Sequence, residues 1–321
     1  MKAVILAGGL GTRLRPLTYR TPKPLVPLVG KPLVRHIIDS LPSRVDTVVL
    51  AVSYMREALE DYFRVNDCGR KVILVNETQP LGTGGALKNV EEHLDETFMA
   101  FNGDVICSLD LNAMLRRHRQ GGGIGTLALW EVEDPSPFGV VALDPTGRIT
   151  RFQEKPDRAE AVSNLINAGT YIFEPEILDQ IGPGVVSLER EVFPKVLVDG
   201  LSGYEFEGYW VDCGTRESYL KAQETIMRFQ GDRVFDLELR GKVAMEGPYH
   251  LEGAYLEDCR VGPNVYVYPG AEIMSGALVS NSAVMAGARV SPGAQVRDSL
   301  IGPGQVVPPG SSVIGQILAE R

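Results

Sequence analysis

Glycines at positions 8, 9 and 11 follow directly on the aliphatic run Ala3 to Ala7, and Arg13, Arg15 and Lys23 come close behind them. Glycines after a strand let the backbone turn sharply and bring its N–H groups near a bound anion. Two phosphate-binding templates do not fit. The P-loop ends in Gly-Lys-Ser/Thr, where this chain has Gly11, Thr12 and Arg13. The dinucleotide fingerprint needs a third glycine opening a helix, but Leu14 stands there and Pro16 and Pro22 prevent a long helix. What remains is a glycine turn with long cationic side chains, stiffened by prolines 16, 22, 24 and 27, a loop suited to a polyphosphate with little ordering cost.

The elements that must position this loop are legible as alternating patterns up to about residue 228. Strand candidates are KAVILA, DTVVLAV, KVILVN, FMAFNGD and IGTLALW; helical spacing marks LVRHIIDSL, REALEDYF, ALKNVEEHL and NAMLRRHR. Such alternation predicts a largely parallel sheet wrapped by helices, with ligands outside the carboxyl ends of the strands. Residues 229 to 250 read as a connector. From about residue 251 the texture changes to Gly, Pro, Ala and Val with a six-residue beat. An aliphatic residue leads each unit at 261, 267, 273, 279, 285, 290, 296, 301 and 307, two units being one residue short. One apolar residue per short strand is the pattern of a parallel β-helix, whose coils must stack to bury it. It resembles the left-handed β-helix of hexapeptide-repeat proteins, with three units per coil.

The whole chain carries a net charge of −9, which argues against a nucleic-acid partner, yet residues 1 to 35 hold seven Lys and Arg and no acid. That reversal favours a small anionic ligand. The four cysteines are far apart and lack metal-ligand or redox spacing, which fits a cytoplasmic protein. No apolar run approaches the roughly 18 residues of a membrane span, and the start is too short in apolar residues for a signal peptide.

GGLGTRLRPLT with PKPLVPLVGKPL resembles the signature of sugar-1-phosphate nucleotidyltransferases, the NDP-sugar pyrophosphorylases. PLGTGGAL, FNGD, FGVV, FQEKP, NAGTYIF and GYWVDCGT follow in that family's order across residues 5 to 219. The resemblance implies a Rossmann-like three-layer α/β domain with a mostly parallel sheet over 1–229. Connector and left-handed β-helix would then fill 230–321.

The implied reaction is attack by a sugar 1-phosphate oxygen on the α-phosphorus of a nucleoside triphosphate, with Mg²⁺. The nucleophile is already an anion, so positioning and charge neutralisation suffice and no general base is needed. The resemblance implies that Asp104 and Asp212 hold the metal, that Arg13 and Lys23 stabilise the departing pyrophosphate, and that Lys155 holds the sugar phosphate. Pro156 favours an extended backbone at Lys155. For the nucleotide it implies Leu6, Ala7, Gly8, Gly9, Gly11, Thr12, Glu77, Pro80, Gly82 and Thr83. For the sugar it implies Glu154, Asn167 and the backbone at Gly139 and Gly169. The four histidines fall outside every motif and read as structural or surface residues.

Glu77 stands where thymidylyltransferases of this family carry Gln. A carboxylate suits the paired N–H donors of guanine, so GTP is favoured. LAVSYM, NGDVICSLDL and SLEREVFP resemble the mannose-1-phosphate guanylyltransferase branch, except that Gly84 replaces its usual Ala and would add backbone freedom near the base. A glucose-1-phosphate uridylyl- or thymidylyltransferase is the alternative, and a non-catalytic regulatory subunit a further one. The tail has no histidine to serve an acyltransferase, so it is expected to join copies of the chain into a homo-oligomer. Neither nucleic acid nor membrane is expected as a partner.

Overall fold

A computed structural model describes residues 1–320. Its contacts divide the chain into two compact units, Met1–Leu10 with Val34–Trp210, and Gly11–Leu33 with the residues from Val211 onward. The division falls at 210/211, not at 229/230, and the cationic loop is grouped with the C-terminal part of the chain.

In the first unit the strand Lys2–Leu6 lies inside a mixed sheet, parallel to Thr47–Val52 on one side and to Phe98–Asn102 on the other. Lys71–Asn76 extends the parallel part beyond Thr47–Val52. Ala3, Val4 and Ile5 are fully buried, as a strand covered on both faces requires. Leu165–Phe173 then joins antiparallel to Phe98–Asn102 and carries Gly125–Glu131, which pairs in parallel with Leu201–Glu205. The chain moves outward from Lys2–Leu6 through Thr47–Val52 to Lys71–Asn76 and then returns to Phe98–Asn102 on the other side. That reversal leaves a crevice outside the carboxyl ends at Leu6 and Asn102, the place where open α/β sheets bind ligands. Phe98, Tyr171, Phe173 and Phe193 pack together in the core beneath.

The expected helices form at Leu33–Ser40, Arg56–Val65 and Leu111–Gly121. Asp110 caps the last by accepting from the Asn112 and Ala113 N–H groups at 2.9 and 3.0 Å. The fourth differs: it runs Gly82–Asn89, starting four residues before ALKNVEEHL and stopping at Val90. Glycine disfavours helices, but here packing decides. The Gly84 and Gly85 N–H groups both reach the Val186 carbonyl, and a methyl at Gly85 would lie 2.3 Å from the Gly184 oxygen. Gly84 is therefore a close-packing residue; a methyl there would meet Val186 Cγ1 at 3.1 Å. This corrects the expectation of backbone freedom.

The second unit is built on a parallel β-helix. Tyr255 pairs with Glu272 and Glu272 with Arg289, so a coil on this ladder is 17 residues (272 − 255 = 289 − 272 = 17), while Tyr249 to Val265 spans 16 and Val261 to Val279 spans 18. Two six-residue units and one of five account for it. Every aliphatic that leads a unit, from Val261 to Val307, is buried. The expected connector is itself a coil: Arg233–Phe235, Glu238–Arg240 and Ala244–Met245 pair in parallel with the next strands. Leu237, Val243 and Tyr249 pack on the core and keep the six-residue spacing, but the charges Glu238, Arg240 and Lys242 between them hide it.

Left-handed corners stack at coil intervals. Asn264, Asn281 and Asp298 have φ of 56, 42 and 51°, and Gly315 continues the column at 63°. Asn264 donates its side-chain amide to Asn281, which donates to Asp298 at 2.6 Å. The helix Arg216–Gln230 starts in a Thr215–Ser218 capping box and docks through buried Gln223. Gln223 Nε2 donates to the Asn264 and Ser282 carbonyls at 3.2 and 3.1 Å. Among the described residues no helix is long and apolar enough to cross a membrane.

Candidate functional site

In the first unit a cleft of about 350 Å³ opens at the strand reversal. Leu6, Gly8 and Gly9 line it from one strand end, Asn102 and Asp104 from the other, and Glu77, Pro80, Gly82 and Thr83 from the turn and helix between. Ala7 sits between lining residues, its N–H on the Ala51 carbonyl at 2.9 Å. The Gly103 N–H donates to the Leu6 carbonyl at 3.0 Å and ties the two strand ends together. Ser53 donates its hydroxyl to the Gly8 carbonyl.

Glu77 is only 4% exposed, with its N–H on the Val52 carbonyl at 2.7 Å. Its carboxylate accepts from the Leu81 N–H at 3.2 Å. Gly8 faces that carboxylate so closely that a methyl group would lie 2.8 Å from Oε1. Burial raises the Glu77 carboxyl above its ordinary range, against the opposing hydrogen bond from Leu81. The Thr83 hydroxyl donates to Glu189 at 2.7 Å and accepts from the Leu188 N–H at 2.9 Å, so it orders the facing turn as well as lining the cleft.

The residues expected for the sugar lie on neighbouring strands of the same unit and do not line this cleft. Gly139 and Glu154 are register partners in a hairpin. Burial first, and the Glu189 charge second, raise the Glu154 carboxyl, while Lys155 at 3.6 Å opposes them. Lys155 has a φ of 50°, in the left-handed region and not extended as Pro156 led one to expect. The hairpin accounts for this: the Lys155 N–H closes it on the Phe138 carbonyl at 2.9 Å, and the chain must then turn away. Asn167 donates to the Tyr171 hydroxyl at 2.9 Å and accepts from the Gly169 N–H at 3.1 Å.

Three lining residues escaped sequence reasoning: Leu81, Ala86 and Asn102. Asn102 links the two groups, because a methyl on Gly169 (φ 71°) would fall 2.6 Å from its Nδ2. Its Oδ1 is buried without a hydrogen-bond partner among the described residues. Its place at the end of a strand, two residues before Asp104, was the available signal.

The second unit holds Gly11, Thr12, Arg13, Lys23 and Asp212. Gly11 has a φ of 61° and precedes a short turn over Thr12–Leu14. Its carbonyl accepts from the Leu14 N–H at 2.9 Å and the Thr18 hydroxyl at 2.8 Å. Lys23 opens a second such turn, Lys23–Leu25. Arg13 is exposed, and its guanidinium lies beside Gly214, where an added methyl would meet Nη2 at 2.5 Å. Asp212 reaches the same glycine, accepting its N–H at 2.5 Å. Arg15 instead lies over the Tyr19 ring at 5.0 Å, and Arg20 pairs with Glu320 at 2.5 Å.

Among the described residues no three His, Cys, Asp or Glu gather into a metal cage. Magnesium takes one or two carboxylates and completes its shell with substrate oxygens and water. A single aspartate on the cleft wall therefore fits as one such donor. The histidines serve structure where their partners are plain: His118 bridges Thr126 and Glu174, and His250 meets the Gly231 carbonyl.

The Nucleotidyl transferase family model matches residues 2–228. The chain is 45% identical over 228 residues to the mannose-1-phosphate guanylyltransferase catalytic subunit beta of Danio rerio, covering 68% of this chain but only 63% of that protein. It is 37% identical over 300 residues to mannose-1-phosphate guanylyltransferase 1 of Arabidopsis thaliana, covering 87% and 80% respectively. Among solved structures, HddC from Yersinia pseudotuberculosis complexed with GMP-PN superposes with a TM-score of 0.58 at 31% identity, over 70% of this chain and 99% of that one. A family model that accounts for the chain from its first strand to the helix Arg216–Gln230 leaves one conclusion: this chain belongs to the nucleotidyl transferase family.

Proposed function

We propose that the chain transfers a guanylyl group from GTP to mannose 1-phosphate, giving GDP-mannose and pyrophosphate. The observation that carries this reading is the cleft at the strand reversal, where Gly8 faces the buried carboxylate of Glu77. An acceptor-only group there matches the adjacent N1–H and N2–H donors of guanine. The names of the relatives and the GMP-PN in the HddC structure support the same base and sugar.

In the reaction a phosphate oxygen of the sugar 1-phosphate forms a bond to the α-phosphorus, and the bond between the α-phosphorus and the β-bridging oxygen breaks. Pyrophosphate carries off the electron pair. No proton needs to be removed from the nucleophile, so the protein's task is alignment and charge neutralisation. Arg13, with Lys23, neutralises the departing pyrophosphate, and Lys155 aligns the sugar phosphate. Glu154 and Asn167, with the backbone at Gly139 and Gly169, receive the sugar hydroxyls, while Gly8, Gly9, Gly11, Thr12 and Gly82 offer backbone groups to the nucleotide. Asp104 and Asp212 are the carboxylates proposed for Mg²⁺, which when bound supplies positive charge to the reacting phosphates. A homo-oligomer joined through the β-helix fits the exposed Leu278, Val306 and Ile314 on its coils. A monomer mass in light scattering of the full chain would refute that assembly. A cytoplasmic setting fits four cysteines that all remain thiols.

The deciding experiment measures pyrophosphate release from GTP, UTP, dTTP, ATP and CTP with mannose and glucose 1-phosphates. GTP with mannose 1-phosphate should give the highest kcat/KM. Preference for a pyrimidine triphosphate would replace this reading by a uridylyl- or thymidylyltransferase, and no turnover with any pair would favour a regulatory subunit.

A further inference from the structure

The cationic loop Gly11–Leu33 ends in a two-stranded hairpin in which Pro27 pairs with Pro32 and Leu28 with Lys31. The turn between them is Val29–Gly30, with φ of 45° and 84°. A two-residue hairpin turn with both φ values positive wants Asn-Gly or Asp-Gly, and a β-branched residue there is an outlier. Such a conformation persists only where its surroundings over-determine it.

The surroundings are three tyrosines of the same unit. Tyr219, from the helix Arg216–Gln230, donates its hydroxyl to the Pro27 carbonyl. The Tyr268 hydroxyl lies 3.5 Å from that of Tyr219 and is near enough to the backbone of Val29 and Gly30 to feel their N–H groups. Tyr266 stands beside Tyr268, ring centroids 4.2 Å apart, and donates to Glu252 at 3.0 Å. Its hydroxyl abuts Gly30 so closely that a methyl there would lie 2.6 Å away. Tyr219 is fully buried, and Tyr266 and Tyr268 are 4% and 5% exposed. Two of the three belong to coils of the β-helix and none to the sheet of the first unit.

We infer that Tyr219, Tyr266 and Tyr268 form a clamp through which the β-helix positions the loop that carries Arg13 and Lys23. The β-helix thereby contributes to triphosphate binding without touching the nucleotide, and the tyrosines are positioning residues. This rests on the reading of Arg13 and Lys23 as pyrophosphate-binding groups. It assigns the tail a role inside each subunit, separate from any role in assembly.

The test uses the full-length chain with Tyr268→Phe, which keeps the ring and removes the hydroxyl, and Gly30→Ala, whose methyl would strike the Tyr266 hydroxyl, as a second perturbation of the same clamp. Amide hydrogen exchange should quicken across residues 11–33 and stay unchanged across the coils from Glu272 onward. The KM for the nucleoside triphosphate should rise about tenfold, as loss of the hydroxyl's polar contacts with the turn implies, with the KM for the sugar phosphate unchanged. Loop amides that exchange at the wild-type rate in both variants would overturn the clamp. A loosened loop with an unaltered triphosphate KM would overturn its link to binding. If the wild type itself released no pyrophosphate, the functional reading would fail, and amide exchange would still decide for or against the clamp.

Discussion

Glu77 binds its proton more tightly in the folded chain than in the unfolded one, because burial raises its carboxyl from the ordinary 4.5. Its contribution to stability therefore declines as pH rises from that ordinary value through the raised one. Glu77→Gln removes the buried charge and should raise the thermal midpoint at neutral pH, with the gain closing below the ordinary glutamate range. Calorimetry across pH 4 to 8 checks this. The same substitution puts an amide where guanine's paired donors would bind, so the preference for GTP over UTP should fall by roughly tenfold or more, read as the ratio of kcat/KM values. Gly214 sets up a second test. A methyl there would lie 2.5 Å from Arg13 Nη2 and 2.8 Å from Asp212 Oδ1. Gly214→Ala should lower kcat on the order of a hundredfold, as an ångström of misplacement can, while the melting curve scarcely moves.

The helix Gly82–Asn89 distinguishes two glycines that look alike in the sequence. Gly85→Ala drives a methyl against the rigid Gly184 carbonyl and should cost about 1–3 kcal/mol in urea denaturation. Gly84→Ala meets the Val186 side chain at 3.1 Å and its carbonyl oxygen at 3.2 Å, looser contacts than the 2.3 Å at Gly85, so its cost should be smaller. Strands were the most legible elements, because Ala3–Ile5 and Val48–Val52 are buried on both faces and read as unbroken aliphatic runs. This helix was misplaced because its glycines answer to Val186 and Gly184, a hundred residues away. Lys155 was misread for a related reason, since local proline sterics lost to a hairpin hydrogen bond. In the site, the family resemblance carried by FNGD, PLGTGGAL and FQEKP implied Asp104, Gly82, Thr83 and Lys155; Asn102 stands inside FNGD itself, but its closeness to Gly169 depends on another strand and was not legible.

At the scale of the chain, the alternating pattern ends near residue 228, yet the contacts divide elsewhere. Tyr219 and Met227 of the helix Arg216–Gln230 are fully buried. Tyr219 meets Tyr268, and Gln223 meets Asn264, both on the coils. A chain truncated after Gln230 would uncover this face, and we expect it to lose cooperative unfolding in a thermal melt. A truncated chain as stable as the full one would refute that expectation. Sequence periodicity could not foresee this dependence, since the loop Gly11–Leu33 meets the helix Arg216–Gln230 across 192 residues of chain and the coils across 236 (266 − 30 = 236), and no local pattern records such contacts. The coil spacing carries a consequence of another kind. From Asn264 onward the corners recur every 17 residues (298 − 281 = 281 − 264 = 17), whereas Tyr249 to Val265 spans 16 residues and Val261 to Val279 spans 18, the difference being taken up between strands. Gaining or losing one amino acid inside a strand of the coils from Val265 onward would put the residues after it out of step with the coil below. Gaining 17 together would add a full storey and leave the others in place. Inheritance should therefore treat the tail's length as a quantity that changes by whole storeys, with smaller insertions confined to the protruding corners.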